Sequence, residues 1–437
     1  MALLPRALRC RPLVAARPWR SRPLSSGRAP AQDDPRPSML RHLLAKVKAT
    51  GPITVAEYMR EALTNPAKGY YVHHDVLGEK GDFVTSPEIS QIFGELLGIW
   101  YISEWMAAGK SSTFQLVELG PGRGTLTGDI LRVFNQLGSV LKNCDISVHM
   151  VEVSQKLSEI QASTLTGEKT PLERDDGSPV YMSGVTKTGI PINWYRDLQD
   201  VPQGYSFYLA HEFFDALPVH KFQKTPQGWR EIFIDVDPLV SDKLRFVLAP
   251  SSTPAELFIQ KEETRDHVEV CPDAGVIVQR LSQRIEETGG AALIADYGHD
   301  GTKMDTFRGF QGHKLHDVLT APGTADLTAD VDFSYLRRMI RGKVASLGPI
   351  KQQTFLQNMG IDARLKVLLD NASDPSLRQQ LLCGYDMLMN PAKMGERFHF
   401  FALLPQHRLP GASNQIHSSH SKSLPPPVAG FEELSWK

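Results

Sequence analysis

The segment Val117-Glu118-Leu119-Gly120-Pro121-Gly122-Arg123-Gly124-Thr125 sets three glycines at alternate positions behind a carboxylate. That spacing suits backbone which must approach a ligand closely. Glycine reaches dihedrals that a Cβ forbids, and the amides opening a helix supply hydrogen-bond donors. The run Thr113 to Val117 is short and apolar, and Leu126 to Leu137 carries apolar residues at helical spacing, so the glycines are expected at a strand-to-helix turn. The dinucleotide fingerprint G-x-G-x-x-G asks for a third glycine at position 125, which is Thr125 here. Another nucleotide-type cofactor is therefore expected on Glu118, Gly120, Gly122 and Gly124. Its ribose calls for a carboxylate at the tip of the second parallel strand, able to accept from two hydroxyls. Glu152, which ends the run Ile146 to Val151, is placed for that role, and Asp197, after Ile192 to Arg196, is the candidate for the adenine amino group.

The order acidic-x-G-x-G-x-G resembles the first motif of S-adenosylmethionine-dependent methyltransferases, which implies S-adenosyl-L-methionine as the cofactor. Methyl transfer from a sulfonium is an in-line displacement, so the enzyme chiefly positions the acceptor and manages its charge. A second constellation fits that task. The apolar run Tyr205 to Ala210 leads into His211-Glu212-Phe213-Phe214-Asp215-Ala216-Leu217-Pro218-Val219-His220, with two carboxylates and two histidines at the carboxyl end of a buried strand. A carboxylate suits a guanidinium acceptor, which it can orient through paired hydrogen bonds. Glu212 is the first candidate for that role and Asp215 the second, while His211 and His220 are candidates to accept a proton.

Further blocks narrow the resemblance. They are Gly81-Asp82-Phe83-Val84-Thr85-Ser86-Pro87-Glu88-Ile89-Ser90, Ala295-Asp296-Tyr297-Gly298, Asp326-Leu327-Thr328-Ala329-Asp330-Val331-Asp332-Phe333 and Gly384-Tyr385. With the two motifs above they make residues 40 to 405 similar to the MidA-type methyltransferases. The resemblance implies a mitochondrial protein arginine methyltransferase that assists early assembly of respiratory complex I in the matrix, acts on its 49 kDa subunit and makes symmetric dimethylarginine. Thr85 and Ser86 are expected on the cofactor, in a polar loop, Gly78 to Pro87, lying over it. A client-binding assembly chaperone and a small-molecule methyltransferase are the competing readings. The intact glycine loop and Glu212 cluster favour catalysis over the first, and the size of the strand insertion described below disfavours the second.

These residues need an α/β frame: a Rossmann-like class I methyltransferase sheet with a helical N-terminal region and an inserted β-rich substrate subdomain. Residues 41–112 read as helical, with Met39 to Lys48, Val55 to Leu63 and Ile89 to Met106 as the helices, and 113–405 as the methyltransferase domain. Within it, residues 219–272 change to a strand pattern at Trp229 to Val236, Lys243 to Leu248 and His267 to Val270, before a helix from Gly275 to Glu287 and a fifth strand from Ala291 to Asp296. Residues 406–437, rich in Ser, Pro and His, read as a flexible tail.

Composition bounds the remaining possibilities. The first 32 residues hold seven arginines and no acidic residue, the composition of a mitochondrial presequence, expected over residues 1–40. Removing these arginines takes the formal charge from −1 to −8, which disfavours nucleic acid as a partner because phosphate binding relies on clustered Lys and Arg. No apolar run approaches the roughly 18 residues of a membrane span. The four cysteines lie far apart with no C-x-x-C pair, and His299, His313 and His316 match no compact ligand spacing, so no metal is expected.

Overall fold

A computed structural model describes residues 38–73, 85–167, 172–175, 177–409, 426–432 and 434. Apart from their last three residues, the presequence expected over 1–40 and the loop expected over 78–87 lie outside the described residues.

Seven strands form the central frame: β1 (Thr113–Leu119), β2 (Asp145–Val151), β3 (Pro191–Tyr195), β4 (Ser206–His211), β5 (Gly290–His299), β6 (Ala345–Lys351) and β7 (Phe398–Leu404). They lie side by side in the order β6-β7-β5-β4-β1-β2-β3. Strands β1 to β5 are mutually parallel, while β7 runs antiparallel between β5 and β6. Beyond β3 the sheet continues through antiparallel Val180–Val185 and Glu173–Arg174. Strand β4 is buried at every position, as expected of a central parallel strand covered on both faces. Chain order reverses between β1 and β4, and ligands of open α/β sheets bind at the carboxyl ends of such a pair.

Helices cover both faces. We denote them α1 (Met39–Thr50), α2 (Val55–Thr64), α3 (Gln91–Ala107), α4 (Thr125–Gln136), α5 (Gln155–Leu165) and α6 (Pro272–Thr288). Helix α3 is apolar almost all round because it is enclosed. Two of its glycines let α4 approach, since a Cβ at Gly94 would stand 2.5 Å from Asp129 Cβ and one at Gly98 would stand 3.0 Å from Val133 Cβ. On the opposite face Val278, Leu281 and Ile285 of α6 join a core with Val117, Tyr208 and Ile294 of the sheet.

The β-rich insertion forms a five-stranded antiparallel sheet from His220–Thr225, Gly228–Val236, Leu244–Leu248 and His267–Val270, completed by Ile53–Thr54 from the N-terminal region. Leu43, Val47, Tyr58 and Met59 of α1 and α2 share one core with Ile232, Ile234 and Leu244, so the helical region and the insertion are one packed body. The described residues of the C-terminal stretch, 406–409, 426–432 and 434, pack on the body of the protein, unlike a flexible tail. Val428 and Phe431 are fully buried, Trp100 Nε1 donates to the Ala429 carbonyl at 3.0 Å, and Arg408 pairs with Glu104 while reaching the Pro426 carbonyl.

Candidate active site

Three residues singled out in the sequence stand immediately beyond the ends of the parallel ladder. The amide of Gly120 donates to the Val151 carbonyl at 3.0 Å, that of Glu152 to Tyr195 at 2.9 Å, and that of Glu212 to Ala295 at 3.0 Å. The backbone at each of the three is therefore fixed at the same edge of the sheet. Gly120, Gly122 and Gly124 all have positive φ, of 61°, 53° and 79°, as the turn into α4 requires. A Cβ on Gly120 would sit 2.7 Å from Phe213 Cδ2, so the glycine loop touches the segment that follows β4. Between them lies a cleft whose lining includes Thr85, Glu118, Gly120, Gly122, His211 and Glu212.

On the glycine side, Glu118 is buried and its Oε2 accepts from the Thr127 hydroxyl; burial raises its pKa to about 8. Glu152 is buried as well, with its pKa raised by burial to about 7. Its Oε1 accepts from the Ser154 amide at 2.7 Å and its Oε2 from Gln161 Nε2 at 3.1 Å. Asp197 stands apart. Its Oδ1 caps the turn Leu198–Asp200 through the Gln199 amide and pairs with Arg280 at 3.0 Å, and its side chain is half exposed.

On the other side, Glu212 adopts a left-handed backbone, φ 49°, which a non-glycine residue holds only where its surroundings impose it. Asp296 supplies the constraint. It is fully buried in the carboxyl-terminal half of β5, where its Oδ2 accepts from the amides of Phe213, Phe214 and Asp215 at 3.2, 2.9 and 3.3 Å, and its Oδ1 from Tyr297 at 2.9 Å. Asp215 accepts from the Thr328 hydroxyl at 2.8 Å and lies in the field of Arg308. The Ser86 amide bonds the Glu212 carboxyl, so Ser86, itself fully buried, supports the acceptor side, while Thr85 lines the cleft.

Two polar atoms face one another across this pocket. Glu212 Oε1 lies 3.6 Å from His211 Nε2, both are buried, and among the described residues neither has a hydrogen-bond partner. Burial, and then the neighbouring Asp215, push the Glu212 pKa well above the usual carboxylate range. Burial between the rings of Phe93 and Phe398 pushes that of His211 down to about 3. His211 thus stays neutral and is a weak base, whereas Glu212 is the stronger proton acceptor of the pair. His220 lies elsewhere, on the inserted sheet, with Nδ1 2.6 Å from Glu231 Oε1.

The sequence of residues 96–350 matches the model of a family of S-adenosyl-L-methionine-dependent methyltransferases. The mitochondrial protein arginine methyltransferase NDUFAF7 of Homo sapiens is 78% identical over 96% of this chain and 95% of its own length. Its homolog in Drosophila melanogaster is 51% identical over 84% of this chain and 85% of its own. The chain belongs to this methyltransferase family. A crystal structure of a superfamily member from Burkholderia thailandensis, bound to S-adenosyl-homocysteine, shares the fold at a TM-score of 0.69 and 25% identity, covering 84% of this chain and 92% of that one. The residues present fit S-adenosylmethionine: three glycines whose positive φ folds the loop into the opening of helix α4 at Thr125, and a buried carboxylate in Glu152 beyond the next strand. Gln161 and the anchoring role of Asp296 are not signalled by any spacing. Both act through tertiary contacts, and only the block around Asp296 draws attention to it.

Proposed function

We propose that this chain is a mitochondrial-matrix protein arginine N-methyltransferase that acts on the 49 kDa subunit of complex I during early assembly, forming symmetric dimethylarginine. The observation that carries the arginine reading is the pair Glu212 Oε1 and His211 Nε2, buried beside the glycine loop and without hydrogen-bond partners among the described residues. The curated relatives are named protein arginine methyltransferases and mitochondrial, which supports the acceptor class and the compartment. The target subunit and the methylation pattern rest on the resemblance of the motifs to the MidA-type proteins.

When bound, S-adenosylmethionine supplies a methyl group activated on a sulfonium; Glu118, the glycine loop and Glu152 would hold it. The chain's own work is on the acceptor. Glu212, ionised by the approach of a guanidinium, orients that group through a charge-assisted contact. His211, held neutral, accepts a second N–H at Nε2 without competing for the charge. The acceptor nitrogen would take the methyl group as its bond to sulfur breaks and sulfur keeps the electron pair as a thioether, and the displaced N–H proton passes to Glu212, which burial makes basic. Asp296 keeps Glu212 in its left-handed position throughout.

The test is incubation of the purified full-length chain with the isolated 49 kDa subunit and S-adenosylmethionine, followed by intact-mass and fragment analysis. Mass increases of one or two methyl groups on an arginine are expected. No transfer to that subunit, with assembly in cells still dependent on the chain, would favour the client-binding chaperone. Fusing residues 1–40 to a reporter tests the compartment, with matrix import expected and cytosolic retention contradicting it.

A further inference from the structure

Gln161 is a buried residue of α5 that touches three parts of the cofactor side at once. Its Nε2 donates to the Gly122 carbonyl at 2.8 Å and to Glu152 Oε2 at 3.1 Å, and its Oε1 accepts from Trp194 Nε1 at 2.9 Å. The amide orientation is fixed by chemistry. An indole nitrogen is a donor only, so the atom facing Trp194 must be the oxygen, and the nitrogen must face the two remaining acceptors. With the residue wholly buried, no water can replace any of these contacts.

We infer that Gln161 is the positioning residue that sets the glycine loop and the Glu152 carboxylate at a fixed separation for the nucleoside of S-adenosylmethionine. One NH2 group joins the middle glycine of the loop to the carboxylate, so neither moves without the other. Trp194 lies on β3, whose last residue Tyr195 accepts the Glu152 amide, so the clamp is referred to the sheet itself. Helix α5 is held close to the loop in the same place: a Cβ on Gly124 would stand 3.2 Å from Leu165 Cδ1 and 3.5 Å from Gln161 Cα. The donor has a second effect. Glu152 must be ionised to accept from two hydroxyls, burial opposes this, and the bond from Gln161 favours the ionised form.

The inference rests on Glu152 holding the ribose, and the experiment separates the two. Affinity for S-adenosylmethionine and for S-adenosyl-homocysteine is measured by calorimetry for wild type, Glu152→Ala, Gln161→Leu and Gln161→Glu, between about pH 6 and 8.5. Glu152→Ala and Gln161→Leu should each weaken binding by about tenfold to a hundredfold, the usual cost of losing a hydrogen bond to a charged group. Gln161→Glu keeps the shape and the Trp194 contact but turns the donor into a third acceptor. Wild-type affinity should fall as pH drops and Glu152 gains its proton. That of Gln161→Glu should instead recover as pH drops, because one proton shared by the two carboxyls restores a donor. This opposite slope is not expected of a residue that only fills space. Because Gln161→Glu is isosteric, it decides the matter if Gln161→Leu does not fold. Wild-type affinity and slope in both Gln161 variants, with Glu152→Ala impaired, would overturn the inference alone. Wild-type affinity in Glu152→Ala would overturn it together with the ribose assignment.

Discussion

Replacing Glu212 by glutamine tests the acceptor site most directly. The amide keeps the shape of the side chain and the left-handed backbone is unchanged, so the perturbation is confined to charge and to the unpartnered Oε1. Because that atom is buried, its contact with a guanidinium is made where water screens little. Losing such a contact costs on the order of 2–4 kcal/mol, or roughly thirty- to a thousand-fold in kcat/KM. Affinity for S-adenosylmethionine should hold, because the residues assigned to it follow β1 and β2 whereas Glu212 follows β4. The pH profile gives a second readout. The Glu212 pKa lies above the usual carboxylate range, so wild-type kcat/KM should rise with pH as the carboxyl ionises, and Glu212→Gln should lose that limb. Radiolabel transfer to the 49 kDa subunit, run beside calorimetry on the same preparations, makes the comparison. Unchanged transfer in Glu212→Gln would refute the assignment, as would a loss of transfer matched by an equal loss of cofactor affinity.

Asp296→Ala removes the acceptor for three amides of the Glu212 segment and should lower turnover by about tenfold to a hundredfold with cofactor affinity retained; wild-type turnover would show that the loop holds itself. Gly120→Val demands a left-handed backbone from a β-branched residue and drives its Cβ into Phe213, so calorimetry should detect no binding of S-adenosylmethionine, and measurable wild-type affinity would displace the site. Arg408→Met leaves Glu104 as an unpaired buried charge and frees the Pro426 carbonyl; urea unfolding should show a loss of about 3–5 kcal/mol, and a loss below about 1 kcal/mol would mean that the C-terminal segment docks without it. The Glu118 pKa is about 8 when folded against an ordinary 4.5, so its contribution to stability is complete below 4.5 and is lost as pH rises toward 8. Glu118→Gln should therefore show a shallower fall in unfolding free energy across that window, and parallel curves for the two proteins would contradict the burial argument.

Local chemistry made much of this molecule readable. The glycine turn, Glu152 at the end of β2 and the carboxyl cluster after β4 follow from short segments whose composition fixes strand, turn and helix together, and three of the four inserted strands lie within a residue of where alternation places them, while the strand His220–Thr225 is not signalled. Long-range pairing was not readable. Nothing local in Ala345–Lys351 or Phe398–Leu404 announces that β7 enters between β5 and β6, because that position is set by packing against elements distant in the chain. Asp197 shows the same limit from the other side. Its place after β3 is legible in the sequence, but its pairing with Arg280 of α6, more than eighty residues on, is not. Gln161 carries no motif at all, since its importance lies in three partners from three separate elements.

The crevice between β1 and β4 brings Glu212, Asp215 and Asp296 into one buried neighbourhood, where burial raises all three pKa values and repulsion from Asp215 adds to the rise at Glu212 and at Asp296. Such a cluster is stable only if each carboxyl has something to answer it. Asp296 has four backbone amides, and Asp215 has Thr328 and the field of Arg308. Glu212 has the Ser86 amide and one oxygen left over, aimed at a neutral imidazole that offers no charge. A neutral acceptor entering here would leave that carboxyl either protonated or buried with its charge unanswered. An arginine side chain brings both the missing donor and the missing charge, and its planar fork can reach Glu212 and His211 together. The arrangement therefore discriminates between acceptors by completion, since a cation lowers the free energy of the cleft that an uncharged small molecule would leave strained.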